Sequence, residues 1–79
     1  MLRGEIMSLI LADENAEYEV VRIEGGHGSY TKFLEMGLVP GARLKVIYNA
    51  KGPIIIAING SKYALGKGLA SKIIIKEVA

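Results

Sequence analysis

A chain of 79 residues makes one small domain; at this size folding removes only about 60% of the unfolded surface from water, which leaves no room for a catalytic domain with accessory parts. The absence of cysteine excludes a disulfide scaffold and a thiolate zinc site together, and a net charge of +2 is too small to indicate nucleic acid by itself. An apolar share of 51% is high and points to hydrophobic surface covered by a partner or a second copy, yet the longest apolar runs, Ile54–Ile58 and Ile73–Ile75, fall far short of the ~20 residues of a membrane span.

From the N-terminus, Arg3, Glu5 and Ser8 interrupt the apolar residues of 1–12, so no secretory h-region forms and a cytoplasmic protein without membrane insertion is expected. Ser8 to Leu11 is expected to open the sheet. Asp13-Glu14-Asn15 reads as a turn, with Asn15 able to take a left-handed backbone, and the β-branched run Glu17 to Ile23 as a strand ending at Gly25-Gly26. His27 and Gly28 complete a mobile loop.

Ser29 is then the natural N-cap of a short helix, because Tyr30, Phe33, Leu34 and Gly37 follow at i, i+3, i+4 and i+7, the spacing of one buried face. With Met36 as C-cap, Gly37 falls at C′, where a left-handed backbone costs glycine nothing, and Leu38 at C″ can pack back on Phe33. Pro40 presets the first corner of a type II turn and Gly41 supplies the positive φ of the second. Arg43 to Tyr48 leaves as a strand.

The clearest hairpin spans Ile54 to Leu65, where Asn59-Gly60 is the favoured dipeptide for a two-residue type I′ turn. Its register sets Ile58 against Ser61, Ile56 against Tyr63 and Ile54 against Leu65, so Ile54, Ile56, Tyr63 and Leu65 share the core face. Ala57 and Lys62 point the other way, and Ile55 with Ala64 makes that second face apolar near the hairpin base, where a neighbour or second subunit can dock. Gly66 to Ser71 is a turn or single helical turn, and Lys72 to Val78 a last strand. Short strand segments around two short helices, without a repeat or a linker, predict that residues 1–79 form a single mainly β domain with one or two short helices, a small β-barrel.

At this point the residues resemble the FeoA-type proteins, small cytosolic accessories of the bacterial and archaeal ferrous iron transporter with an SH3-like barrel. The ordered set is Val20, Val21 and Ile23 before Gly25-Gly26, then Leu34, Met36-Gly37-Leu38, Pro40-Gly41, Gly52-Pro53-Ile54, Ala64-Leu65, Ala70, Ile73 and Ile75. It covers nearly the whole chain. Asn15 stands where that family usually has glycine, and Thr31 and Gly66 where it usually has basic residues. The resemblance implies a non-enzymatic protein that docks on the cytosolic GTP-binding part of the large FeoB-type ferrous iron permease and regulates it by binding one of its conformations better than another.

Loops presented on a rigid scaffold commonly carry function, so the expected partner surface is Gly25, Gly26, His27 and Gly28 with Thr31, Lys32, Glu35 and Met36. Gly37, Leu38, Pro40, Gly41, Asn59 and Gly60 are accounted for by capping and turn chemistry. His27 with Glu24, and Glu35 on the helix end, are the candidate metal ligands, but one histidine and scattered carboxylates fall short of the four ligands a closed site wants. No cofactor is therefore expected; a divalent transition metal would need ligands gathered from several copies at an oligomer interface. Self-association is expected through the apolar hairpin face and exposed edge strands.

Gly60 to Gly68 has a superficial likeness to a phosphate-binding loop, but the spacing is one residue too long and Gly68 has no hydroxyl for magnesium. No Ser-His-Asp or Cys-His arrangement can be drawn, and Asp13, Glu14 and Glu17 read as solvated, so no enzyme activity is expected. Lys45, Lys51, Lys62, Lys67, Lys72 and Lys76 are scattered, and Tyr18, Tyr48 and Tyr63 are the available stacking platforms for nucleic acid. Acidic residues are nearly as numerous, which makes nucleic acid the lesser reading. Two alternatives stay open: an SH3-like domain acting with a metal-dependent transcriptional regulator, and a small-barrel nucleic-acid binder.

Overall fold

The β-branched run Glu17–Ile23 alternates apolar and polar side chains, and in the computed structural model, which describes residues 5–25 and 27–78 and only the backbone of His27–Ser29, it becomes a central strand. The elements are β1 (Ile6–Ser8), a 3-10 turn (Leu9–Leu11), β2 (Glu17–Ile23), α1 (His27–Met36), β3 (Arg43–Tyr48), β4 (Ile54–Ile58), β5 (Ser61–Leu65), α2 (Lys67–Ala70) and β6 (Ile73–Glu77). All strand pairs are antiparallel, in the order β1-β6-β2-β3-β4-β5.

One face of this sheet supplies most of the core. Tyr18 and Val20, Leu44 and Val46, Ile54, Ile56 and Ile58, Leu65, Ile73 and Ile75 are buried, with Phe33, Leu38, Leu9 and Ala70 closing over them. The register of β2 on β6 shifts between Val20 and Arg22, and that of β3 on β4 between Val46 and Tyr48. Such bulges sharpen the local twist and bend the strands around the core.

The fold is the mainly β, SH3-like kind expected, although the sheet does not close among the described residues. Closure would require β1 to pair with β5, and among the described residues β1, three residues long, pairs with β6 alone. The result is a coiled six-stranded sheet with two ends, a small β fold of SH3-like kind.

Two local expectations fail at element starts. Ser8 to Leu11 is not a strand: the strand ends at Ser8, whose hydroxyl accepts the Ile10 N–H, and the Ala12 N–H bonds back to the Leu9 carbonyl at 3.0 Å. The turn drives Leu9 into the core while leaving Ile10 and Leu11 exposed. Nor does Ser29 cap α1, since the helix already includes His27 and Gly28, which are not a loop. Gly25, at φ +107°, turns the chain out of β2 early enough for the helix to begin sooner.

The stop signals behave as expected. The Leu38 N–H bonds to the Phe33 carbonyl at 2.9 Å and the Gly37 N–H to that of Leu34 at 3.0 Å, the bond pair of a Schellman end, with Gly37 at φ +86°. Ala42 N–H closes the Val39-Pro40-Gly41 turn on the Val39 carbonyl at 2.9 Å. That turn is pinned to β2, because Gly41 donates to the Val20 carbonyl and Val20 to that of Ala42, both at 2.8 Å. The hairpin has the expected register throughout, and Asn59 and Gly60 are both at positive φ.

Candidate functional site

Among the described side chains of α1, one does most to hold the helix to the sheet. Phe33 is fully buried and Met36 is partly buried against the core, whereas Tyr30 and Leu34, placed by spacing on the same inward face, are 48% and 44% exposed. The stop folds Leu38 back into the core, and among the described residues of the helix the inward stripe is Phe33 and Met36. Tyr30 and Leu34, one turn apart, therefore make an outward apolar row on α1.

Thr31, Lys32 and Glu35 are exposed beside that row. Gly25 is exposed before the helix, and its Cα is approached so closely by the aliphatic stem of Lys72 that an added Cβ would sit 2.7 Å from Lys72 Cδ. Gly26 and the side chain of His27 lie outside the described part of the chain, as does anything beyond the backbone of Gly28. Met36 faces the core more than solvent. The structure thus gathers Thr31, Lys32 and Glu35 around two residues, Tyr30 and Leu34, that the sequence assigned to the interior.

The remaining candidates are dispersed. Glu24 accepts a hydrogen bond from Arg22 Nε at 3.0 Å, and both side chains are about half exposed. Among the described residues no three acidic or imidazole groups gather as metal ligands. Glu14 accepts the Asn49 N–H at 2.7 Å, which ties it to a loop. Gly60 belongs to the hairpin turn, Gly66 is the N-cap of the single-turn α2, and Lys67 Nζ donates to the Ala50 carbonyl at 3.1 Å, so the apparent phosphate loop is divided between two elements.

Tyr18 is no stacking platform: it is buried, and its phenol oxygen accepts the Asp13 N–H at 2.8 Å. Tyr63 is half-buried on the core face and Tyr48 is exposed. A shallow open cleft of about 230 Å³ lies between the start of β3 and the hairpin tip, lined by Arg43, Lys45, Glu17 and Asn59 among others. Its charges are of both signs. One contact that nothing in the sequence announced is made by Asn49, whose side-chain amide donates to the carbonyls of Ile10 at 3.2 Å and Ala12 at 2.8 Å and so ties the 3-10 turn to the end of β3.

With this geometry in hand, comparison with known proteins gives three kinds of match. A family model described as the FeoA domain matches residues 7–77. A Methanocaldococcus jannaschii protein whose name assigns it to Fe(2+) transport is 42% identical over 69 residues, covering 87% of this chain and 84% of its own length. A crystal structure of an iron uptake regulatory protein, FeoA, superposes with a TM-score of 0.88 at 36% identity, covering 94% of this chain and all of the other. A manganese-dependent transcriptional repressor also superposes, with a TM-score of 0.85, but at 22% identity and over 43% of its own chain. That last likeness is one of fold.

Proposed function

We propose, since this chain belongs to the FeoA domain family, that it is a non-enzymatic cytoplasmic accessory of ferrous iron uptake that docks on the cytosolic GTP-binding part of a FeoB-type permease. Family membership supplies the transport setting. The observation that supports docking is the outward row of Tyr30 and Leu34 on α1, flanked by Thr31, Lys32 and Glu35. Large apolar side chains exposed one turn apart, with a polar rim, suit a partner surface rather than a solvated helix face.

No helix among the described residues is long and apolar enough to cross a membrane, so the protein would act on the permease from the aqueous side. Regulation would follow from binding one state of the GTP-binding domain better than another, since a ligand shifts an equilibrium only by its differential affinity. No bound group is needed for such a role.

The test is capture from native membranes with the full chain as bait, beside a Leu34→Ala/Glu35→Ala variant. Recovery of a ferrous permease that falls by about tenfold with the variant, the effect of losing roughly 1.4 kcal/mol of binding, supports the reading. Recovery of a DNA-binding regulator in its place, with no permease, overturns it.

A further inference from the structure

Strand β5 ends the sheet, and its free edge has a definite chemistry. In a two-residue hairpin the residues flanking the turn, Ile58 and Ser61, exchange both backbone hydrogen bonds, so Tyr63 with Ile56 and Leu65 with Ile54 do the same. The N–H and C=O of Lys62 and Ala64 must then point away from β4. None of those four groups has a partner among the described residues, and both side chains are exposed.

We propose that this edge pairs with the same edge of a second copy, antiparallel about a two-fold axis through Tyr63, joining two six-stranded sheets into one. Register selects the occupant. Centring on Tyr63 sets Lys62 opposite Ala64 of the second copy and Ala64 opposite its Lys62, so each of the four free groups gains a partner and four backbone hydrogen bonds form. Shifting the centre to Lys62 would set lysine against lysine, and a parallel in-register pairing would do the same, which costs energy. A lysine on an edge strand ordinarily discourages pairing; here it rejects those arrangements, and a centre at Ala64, which would set Lys62 opposite Gly66, is disfavoured because the Gly66 carbonyl already accepts the Ala70 N–H at 2.9 Å.

The side chains agree with that register. Tyr63 meets its own copy in a non-hydrogen-bonded pair, where Cβ atoms approach most closely and aromatic pairs are favourable. On the opposite face the aliphatic stem of Lys62 lies over Ala64 of the partner, at the end of a row that runs Tyr48, Ile55, Ala64 across three strands. The interface is isologous and closes at two copies. It is separate from the α1 surface, so it stands or falls independently of the docking reading.

The experiment is sedimentation equilibrium over a wide concentration range, read together with amide exchange and two variants. The mass should rise from 8.5 kDa toward twice that value, and exchange at Lys62 and Ala64 should slow as concentration rises. Ala64→Pro removes an N–H that no β4 bond uses, which edge strands tolerate, and should leave a folded monomer. Because the chain has no cysteine of its own, Tyr63→Cys should give a single symmetric disulfide under mild oxidation, and Arg43→Cys, on the exposed outer face of β3, should not. A mass fixed at 8.5 kDa with concentration-independent exchange overturns the proposal, as does a dimer that survives Ala64→Pro with unchanged affinity.

Discussion

The side-chain amide of Asn59 lies against the Cα of Gly37, so the tip of the β4–β5 hairpin closes over the C-terminal stop of α1. A Cβ built at Gly37 would overlap the Asn59 amide nitrogen. Gly37 is thus required twice, once by its backbone at φ +86° and once by this approach.

Gly37→Ala is therefore expected to cost about 1–3 kcal/mol from the left-handed backbone alone, and more from the collision. Gly41→Ala, at φ +93° but facing open space, should show only the backbone part. Adding Asn59→Gly to Gly37→Ala should recover the steric part, so urea unfolding of the double-mutant cycle should be non-additive. Additive losses would mean that the hairpin tip does not constrain the helix stop.

Asn49→Ala should cost about 1–2 kcal/mol, since it removes both side-chain hydrogen bonds to the Ile10 and Ala12 carbonyls. Amide exchange should quicken in the 3-10 turn Leu9–Leu11 more than in β4. Uniform quickening across the chain would point to global destabilisation instead.

Along α1 the stability effects should split sharply. Phe33→Ala should cost about 3–5 kcal/mol as a fully buried aromatic, whereas Thr31→Ala and Lys32→Ala, both exposed and with no side-chain hydrogen bond to the sheet among the described residues, should stay within about 0.5 kcal/mol. Tyr30→Ala and Leu34→Ala should fall well below Phe33→Ala while weakening capture of the permease. Denaturant midpoints measured beside the capture assay separate the two effects.

Tyr18→Phe keeps the buried ring and deletes the oxygen that accepts the Asp13 N–H. The expected loss is about 1 kcal/mol, read as a lowered urea midpoint with an unchanged slope. No loss would show that water replaces the phenol at that N–H.

Features legible along the chain were local ones. The limits of β2 and β3, the Asn59-Gly60 turn with its register, the Gly37 stop and the Pro40-Gly41 turn were all legible, because each depends on the φ preference or side-chain alternation of a few neighbouring residues. Family membership was legible for the same reason, since its ordered elements are mostly these turns and core positions. Tertiary structure alone decided that Leu34 and Tyr30 face outward, that α1 begins at His27, that the sheet ends openly at β5 instead of closing on β1, and that Asn49 and Asn59 bridge elements far apart in the chain. Periodicity tells which residues share a face of a helix or strand. It does not tell how much of that face another element covers, because coverage is set by strand pairings and packing between segments that the sequence separates.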